Sequence, residues 1–316
     1  MKKILVTRPM PAPVIAALSG HKVAVRDDTR PMSRDEMVAA LIRFDAILPT
    51  IGDVFSADVF AAAADIRAGL LANFGVGYNH IDVAAARAHG VAVTNTPGVL
   101  TDTTADLALT LILATARRAG EGERLLRAGG WDGWHPTQLL GTEVTGKRVG
   151  IVGMGRIGQA IAQRCHYGFA MEVAYFNRSA KTLNFPAKRM STLEELAAAV
   201  DFLVVAVPGG AETHHLIGTP VFDAMQPSGV FINIARGDIV DEAALIAALQ
   251  SGEIAAAGLD VYEFEPAVPK ALCEMENVTL LPHLGSATLE TRTAMGRLAA
   301  DNILAFLTGD PLPTPV

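Results

Sequence analysis

Only two cysteines, Cys165 and Cys273, occur among the 316 residues. They form no CxxC pair and no zinc-like spacing, which excludes a disulfide framework and a cysteine-based metal site. Free thiols in a reducing compartment are expected. Charge is also sparse: 19% of residues are charged, with 26 basic against 33 acidic side chains and a formal net charge of −7. No basic run is long enough to neutralise a series of phosphates, so nucleic acid is not an expected partner. No apolar stretch reaches the roughly 18 residues of a membrane span, so a membrane is not one either. The opening MKKILVTRPMP has a short apolar run, but Thr7, Arg8 and Pro9 cut it below the length of a signal-peptide core. That segment reads as a first β-strand, Lys3–Val6, and the expected location is cytoplasmic.

What the chain has in quantity is apolar sequence. Half of its residues are hydrophobic, and its length suggests two domains of about 150 residues each. Short β-branched runs alternate with Ala- and Leu-rich stretches, which predicts parallel sheets with helices on both faces. Strands are expected at Ile4–Val6, Val23–Val25, Ala46–Leu48, Leu70–Ala72 and Val91–Val93. A second series covers Arg148–Val152, Glu172–Phe176, Phe202–Ala206, Val230–Ile234, Ala256–Leu259 and Val278–Leu280. Helices are expected at Ser33–Ile42, Val83–His89, Arg156–Tyr167, Thr192–Ala198 and Asp241–Gln250. Ser33 and Glu36 have the spacing of a capping box. Two longer helices, Thr101–Arg118 and Leu289–Leu307, are apolar around much of their circumference. Such a pattern belongs to helices buried on several sides, and these two are expected to join the domains, the last returning to the first domain. Beyond Leu307 a proline-rich tail is expected to be unfolded.

The strongest local motif is Gly153-Met154-Gly155-Arg156-Ile157-Gly158. GxGxxG alone is weak, but here it follows a buried-strand pattern and opens a helical one. Gly153 allows the tight turn, Gly155 leaves room for a pyrophosphate, and Gly158 lets helix and strand pack closely. The backbone N–H groups of Arg156 and Ile157 then face the phosphates from the helix N-terminus. Nicotinamide sites selective for NAD usually carry an acidic residue about 20 residues further on, at the ribose 2′-hydroxyl. Here the position falls on Asn177-Arg178-Ser179, which has no acid and offers a guanidinium suited to a 2′-phosphate. NADP(H) is therefore the expected cofactor, with NAD(H) as the alternative.

Arg236, Glu265 and His283 each lie at or beyond the carboxyl end of a predicted strand, where open α/β sheets bind ligands. Taken singly, each has a structural explanation: a strand cap, a surface charge, a loop histidine. The remaining histidines suggest no metal. His214 and His215 are adjacent in a loop and are not expected to aim at one ion. His21, His89, His135 and His166 show no ligand spacing, and His80 is expected to be structural.

The segments GMGRIG, NIARG, GLDVYEFEP and PHLGSAT stand in the order and spacing of the D-isomer-specific 2-hydroxyacid dehydrogenase family, which the chain resembles from about Ala72 to its final helix. The resemblance implies two Rossmann-like α/β domains, one flavodoxin-like and one dinucleotide-binding, with parallel sheets and a cleft between them. The substrate-binding domain would be residues 1–98 with 288–316, and the dinucleotide-binding domain residues 99–287. It also implies Arg236, Glu265 and His283 as the catalytic residues. Arg236 would bind the substrate carboxylate and polarise the keto oxygen. His283 would exchange the proton, and Glu265 would orient its ring. Asp260 matches the aspartate that contacts the nicotinamide amide. Thr104, Pro208, Thr213, Ile234, Ala235 and Gly285 complete the implied cofactor set. The loop Asn73–Asp82 would present amides of Val76 and Gly77 to the substrate carboxylate.

Pro97–Ala108 and Gly130–Pro136 are similar to the glyoxylate/hydroxypyruvate reductase branch, which implies a homodimer whose Trp134 reaches the partner's site and limits substrate size. The expected partners are thus a small 2-keto or 2-hydroxy acid and a second copy of the chain. Other substrates of the family (2-ketogluconate, D-lactate type, phosphoglycerate) remain open. So does a non-catalytic module that only senses a dinucleotide.

Overall fold

A computed structural model describes residues 1–316. The chain divides into two compact units, Met1–Leu100 with Ser286–Val316 and Thr101–Gly285. The first unit contains β1 (Lys3–Val6), α1 (Ala12–Ala17), β2 (Lys22–Val25), α2 (Arg34–Arg43), β3 (Ala46–Leu48), α3 (Ala57–Ala62), β4 (Leu70–Ala72), α4 (Val83–Ala88) and β5 (Ala92–Thr94). The second opens with α5 (Thr101–Ala116) and α6 (Ala119–Arg127), then β6 (Arg148–Val152), α7 (Arg156–Phe169), β7 (Glu172–Phe176) and β8 (Lys188–Arg189). It continues with α8 (Leu193–Ala199), β9 (Phe202–Val205), α9 (Thr219–Ala224), β10 (Val230–Asn233), α10 (Glu242–Ser251), β11 (Ala256–Leu259), α11 (Lys270–Glu274) and β12 (Val278–Leu280). The last helix, α12 (Leu289–Thr308), belongs to the first unit. No helix is long and apolar enough to cross a membrane.

In the first unit five parallel strands run in the order β2-β1-β3-β4-β5. Side chains alternate across the sheet, so Leu5, Ile47 and Leu71 enter one apolar layer with Met37, Leu41 and Phe60. Ile4, Leu48 and Leu70 enter the opposite layer with Val14 and Ile303. Burial on both faces is the reason these strands read as continuous apolar runs. The capping box at the start of α2 forms as its spacing predicts: Ser33 Oγ accepts from Glu36 N–H, and Glu36 Oε2 accepts from Ser33 N–H at 2.7 Å. α12 lies against α1 so closely that a Cβ on Gly296 would stand 2.4 Å from Val14 Cγ2.

The C-terminal tail differs from the expectation. It is ordered along the free edge of β5: Pro315 bridges Thr94 antiparallel, and Val316 N–H donates to Val93 O at 3.1 Å. The anchor is Asn302, fully buried on α12. Its Oδ1 accepts Thr314 N–H at 3.1 Å and its Nδ2 donates to Thr314 Oγ1 at 2.9 Å, while that hydroxyl donates to Asn95 O at 2.6 Å. Prolines dominate the composition of the tail, but an open sheet edge offers unpaired backbone groups to any segment that can reach it.

In the second unit seven parallel strands run in the order β12-β11-β10-β9-β6-β7-β8. Successive strands wind one way from β6 to β8 and the other way from β9 to β12. The sheet therefore has its switch point between the carboxyl ends of β6 and β9, where doubly wound sheets bind dinucleotides. α5 packs on β10 and β11 with Leu111 and Ile112 fully buried, which explains its apolar circumference. The short elements α1, α3, β8, α9 and α11 lack the length for a readable period, and α6, which buries no residue, has no apolar face turned to a core. β5 sits one residue later than Val91–Val93 because Val91 is still bonded to the end of α4, through Val91 N–H to Ala86 O.

Replacing Asn302 with Ala removes three side-chain hydrogen bonds and strands the Thr314 amide. Urea unfolding should report a loss of about 2–3 kcal/mol, with faster proteolysis of the last residues. Unchanged stability would mean that the tail is not tied down through this side chain.

Candidate active site

The glycine loop follows β6 at the switch point. Gly153 has φ +98, and a Cβ there would meet Val207 Cγ1 at 2.6 Å and Ala206 O at 2.8 Å, so both conformation and space demand glycine. A Cβ on Gly158 would lie 2.0 Å from Gly153 O, so the helix can pack on the loop only with glycine there. Gly155 is different: nothing lies within 4 Å of its Cβ position. The protein itself leaves that space open, in front of the first turn of α7. Gly155 caps α7 with no side-chain hydrogen bond, so the N–H groups of Arg156 and Ile157 are available to an anion. These residues fit a dinucleotide pyrophosphate.

Asn177 follows β7 and ties this loop together. Its Oδ1 accepts Met154 N–H at 3.2 Å, and its Nδ2 donates to Ser179 O at 2.8 Å. Arg178 pairs with Glu212 at 2.9 Å, with side-chain exposures of 86% and 83%. A pair so open to water is worth little, so the guanidinium can exchange Glu212 for a phosphate at small cost. Thr213 Oγ1 donates to Pro208 O at 2.7 Å, which shapes the loop after β9.

Three neighbouring strands deliver the other candidates: β10 leads into Arg236, β11 into Asp260 and Glu265, and β12 into His283. Asp260 is buried and receives the N–H groups of Leu284 at 2.6 Å and Gly285 at 2.8 Å on its carboxylate. His283 N–H donates to the Asp260 carbonyl at 2.9 Å. These bonds hold His283 at φ 54, a left-handed conformation that costs a non-glycine residue energy and persists only when its surroundings enforce it. The ring then meets Glu265: Nδ1 to Oε2 is 2.8 Å, with both side chains 30% exposed. The carboxylate accepts, so Nδ1 carries the proton and Nε2 is the ring nitrogen turned away from Glu265. The other Glu265 oxygen accepts Tyr262 N–H at 3.1 Å.

Electrostatics bind the group together. Burial raises the Glu265 pKa, but the hydrogen bond and charge of His283, the Tyr262 N–H and the charge of Arg236 outweigh it and hold the carboxyl below its usual range. Burial pushes the Arg236 pKa down, against the opposing charges of Glu265 and Asp238. Burial likewise lifts Asp260 to about 6, although the Leu284 and Gly285 N–H groups and the charge of His283 favour its ionised form. Ile234 and Ala235 are buried at the end of β10. Thr104 of α5 lies next to Gly285, with Thr104 Oγ1 3.7 Å from the Cβ position of that glycine.

In the first unit, the loop after β4 presents backbone N–H groups by tying its carbonyls inward. Gly75 O accepts from Thr96 N–H and Asn73 Nδ2, Val76 O accepts from Asn95 Nδ2 at 2.9 Å, and Gly77 O accepts from Asn73 Nδ2 at 3.0 Å. In a trans peptide the N–H points opposite to the C=O. The amides of Val76, Gly77 and Tyr78 therefore face away from those anchors as a nest for an anion. His80 Nε2 bonds Asn73 Oδ1 at 3.0 Å, the structural part expected of it. Trp134 is 79% exposed, Trp131, Leu126 and Leu140 are exposed as well, and α6 buries no residue.

The family model for "D-isomer specific 2-hydroxyacid dehydrogenase, NAD binding domain" matches residues 109–285. The chain belongs to the D-isomer-specific 2-hydroxyacid dehydrogenase family. It is similar to the glyoxylate reductase of Thermococcus kodakarensis, with 43% identity over 99% of this chain and 96% of the relative. Among solved structures, it is similar to a protein from Thermus thermophilus, with TM-score 0.92, 40% identity and 99% of each chain covered. It is also similar to the NADPH-dependent glyoxylate/hydroxypyruvate reductase of Sinorhizobium meliloti, solved with NADP and malonate. That match has TM-score 0.86 and 39% identity, and covers 100% of this chain and 96% of the other. The cofactor of this dehydrogenase is a nicotinamide dinucleotide.

Sequence reasoning missed several residues of the dehydrogenase. Asn233, buried at the end of β10, donates from Nδ2 to Arg236 O at 2.9 Å and accepts Ala235 N–H at 3.0 Å, so it fixes the turn that aims Arg236. Arg189 of β8 donates to the carbonyls of Asn177 and Arg178 and braces the loop after β7. One expectation is corrected outright. Adjacency in a loop suggests that His214 and His215 cannot easily aim at one ion, yet their rings stack with centroids 4.0 Å apart, and one ligand atom of each lies within 4.8 Å of a Glu263 oxygen. His215 has φ 49, which breaks the alternation that would send successive side chains to opposite sides. His215 Nε2 also meets Glu263 Oε1 at 2.8 Å.

The three glycines separate fold from function. Gly158→Ala should unfold or strongly destabilise the protein. Gly155→Ala should leave the melting temperature near wild type while weakening dinucleotide binding about tenfold or more, by fluorescence titration, since a methyl there crowds the phosphates. Equal dinucleotide affinity in Gly155→Ala would mean that the open space is not the phosphate site.

Proposed function

We propose that this dehydrogenase reduces small 2-keto acids, glyoxylate and hydroxypyruvate foremost, to the D-2-hydroxy acids, with NADPH preferred over NADH. The observation that carries the reading is the His283–Glu265 bond of 2.8 Å, electrostatically linked to Arg236. The bound nicotinamide supplies the hydride. Arg236 holds the substrate carboxylate and draws charge toward the keto oxygen, for which its planar fork and partly buried position suit it. His283 gives a proton from Nε2 to that oxygen in reduction and takes it back in oxidation. Glu265 keeps the ring oriented and offsets the positive charge on it. The outward amides of Val76 and Gly77 form an anion nest suited to a carboxylate in the first unit, which is the substrate-binding domain of this reading. Asp260 contacts the nicotinamide amide, and Thr104, Pro208, Thr213, Ile234, Ala235 and Gly285 belong to the cofactor-binding set.

Two observations support NADPH: the ribose position carries Asn177 rather than an acid, and Arg178 is held only by an exposed pair with Glu212. The exposed apolar side chains around α6 support a homodimer, with Trp134 reaching the partner's site and restricting it to small substrates. A cytoplasmic location is supported by the two free cysteines.

Purified protein should oxidise NADPH when given glyoxylate or hydroxypyruvate. His283→Ala should lower kcat by about 100-fold or more while cofactor affinity is retained. Arg178→Ala should reduce kcat/KM for NADPH about tenfold or more, with little change for NADH. Tight dinucleotide binding without turnover on any 2-keto acid would favour a sensing module, and a wild-type preference for NADH would overturn the NADPH assignment.

A further inference from the structure

We propose that His214, His215 and Glu263 form a binding site for a divalent first-row transition-metal ion, with zinc the best chemical match. Two imidazoles and one carboxylate are a donor set that zinc favours. One ligand atom from each residue lies within 4.8 Å of the others. Zinc–nitrogen and zinc–oxygen bonds of about 2.0–2.2 Å in a tetrahedral site separate neighbouring ligand atoms by roughly 3.3 Å. His215 Nε2 and Glu263 Oε1, now 2.8 Å apart, need open by only about half an ångström to reach that separation. The His214 ring stacks on that of His215, with centroids 4.0 Å and planes 26° apart. An ion binds in the plane of an imidazole, so the His214 ring must turn to aim at it, and His214 is exposed enough to do so. Three protein ligands leave the fourth position to water.

The backbone beneath the site is fixed. His215 N–H donates to Asp238 O at 2.9 Å, and Glu263 N–H donates to Glu242 Oε1 at 3.1 Å. The Glu263 side chain is only 13% exposed, so its carboxylate is held rather than free. The site is separate from the catalytic pair: Glu263 faces His215, whereas Glu265, two residues on, faces His283. The proposal therefore stands whether or not the enzymatic reading holds. Its ligands come from the loop after β9 and the turn after β11. A bound ion would link the segment that carries Thr213 to the turn that carries Glu265.

The test is calorimetric titration of the chelator-treated full-length protein with zinc chloride, alongside thermal melts with and without zinc. Wild type should bind one equivalent and gain melting temperature. His214→Ala and Glu263→Gln should each weaken binding about tenfold or more and lose the thermal gain. Cys273→Ser and His283→Ala should bind as wild type does. Absence of a stoichiometric binding event would overturn the proposal. So would undiminished binding in Glu263→Gln, or loss of binding in Cys273→Ser or His283→Ala, since the ion would then sit elsewhere. If His214→Ala fails to fold, Glu263→Gln alone decides.

Discussion

The hydrogen bond between His283 Nδ1 and Glu265 Oε2 fixes the orientation of the imidazole and turns Nε2 away from the carboxylate, and much of the second unit serves to make that bond. β11 and β12 are paired in register, Leu259 opposite Leu280, so the segments leaving them emerge side by side. Asp260 then stitches the two together through the N–H groups of His283, Leu284 and Gly285. Without that stitching, a left-handed histidine would relax and the ring would lose its partner. β10, the next strand, delivers Arg236 from a turn held by Asn233. Residues far apart in the chain thus become neighbours because adjacent parallel strands end about 5 Å apart.

The same sheet separates two kinds of constraint. Gly153 and Gly158 are required by packing against Ala206 and against the loop itself, whereas Gly155 faces open space. The first two would be needed even in a protein that bound nothing. The third is not required by packing, and its open space is where the pyrophosphate is proposed to lie. A similar contrast holds in the first unit. There Asn73 and Asn95 spend their hydrogen bonds on backbone carbonyls, and the result is a row of amides turned outward. In both places an asparagine side chain shapes a loop, and the loop's backbone is what a ligand would meet.

Much of this was legible in the sequence. Short apolar runs such as Arg148–Val152 and Leu70–Ala72 have the observed limits, because strands buried on both faces read as brief continuous apolar stretches between turn or helical segments. The catalytic candidates were found through four motifs in register rather than through any residue alone. What escaped depends on tertiary context. Composition at Pro311, Pro313 and Pro315 suggested a loose tail, and nothing local announces that Asn302 will capture Thr314. Asn233 and Arg189 act through the backbone of other segments, a function that leaves no local pattern. His214 and His215 required one residue with positive φ, and the partner Glu263 lies 48 positions away.

The central claim is that Nε2 of His283 and the guanidinium of Arg236 address the same small acid. The most direct test is a crystal structure of the protein with NADP and oxamate, an unreactive analogue of a 2-keto acid. Nε2 and the guanidinium should both lie within about 3 Å of oxamate oxygens, with Glu265 still bonded to Nδ1. Oxamate bound out of reach of Nε2, or a ring turned so that Nδ1 leaves Glu265, would contradict the account.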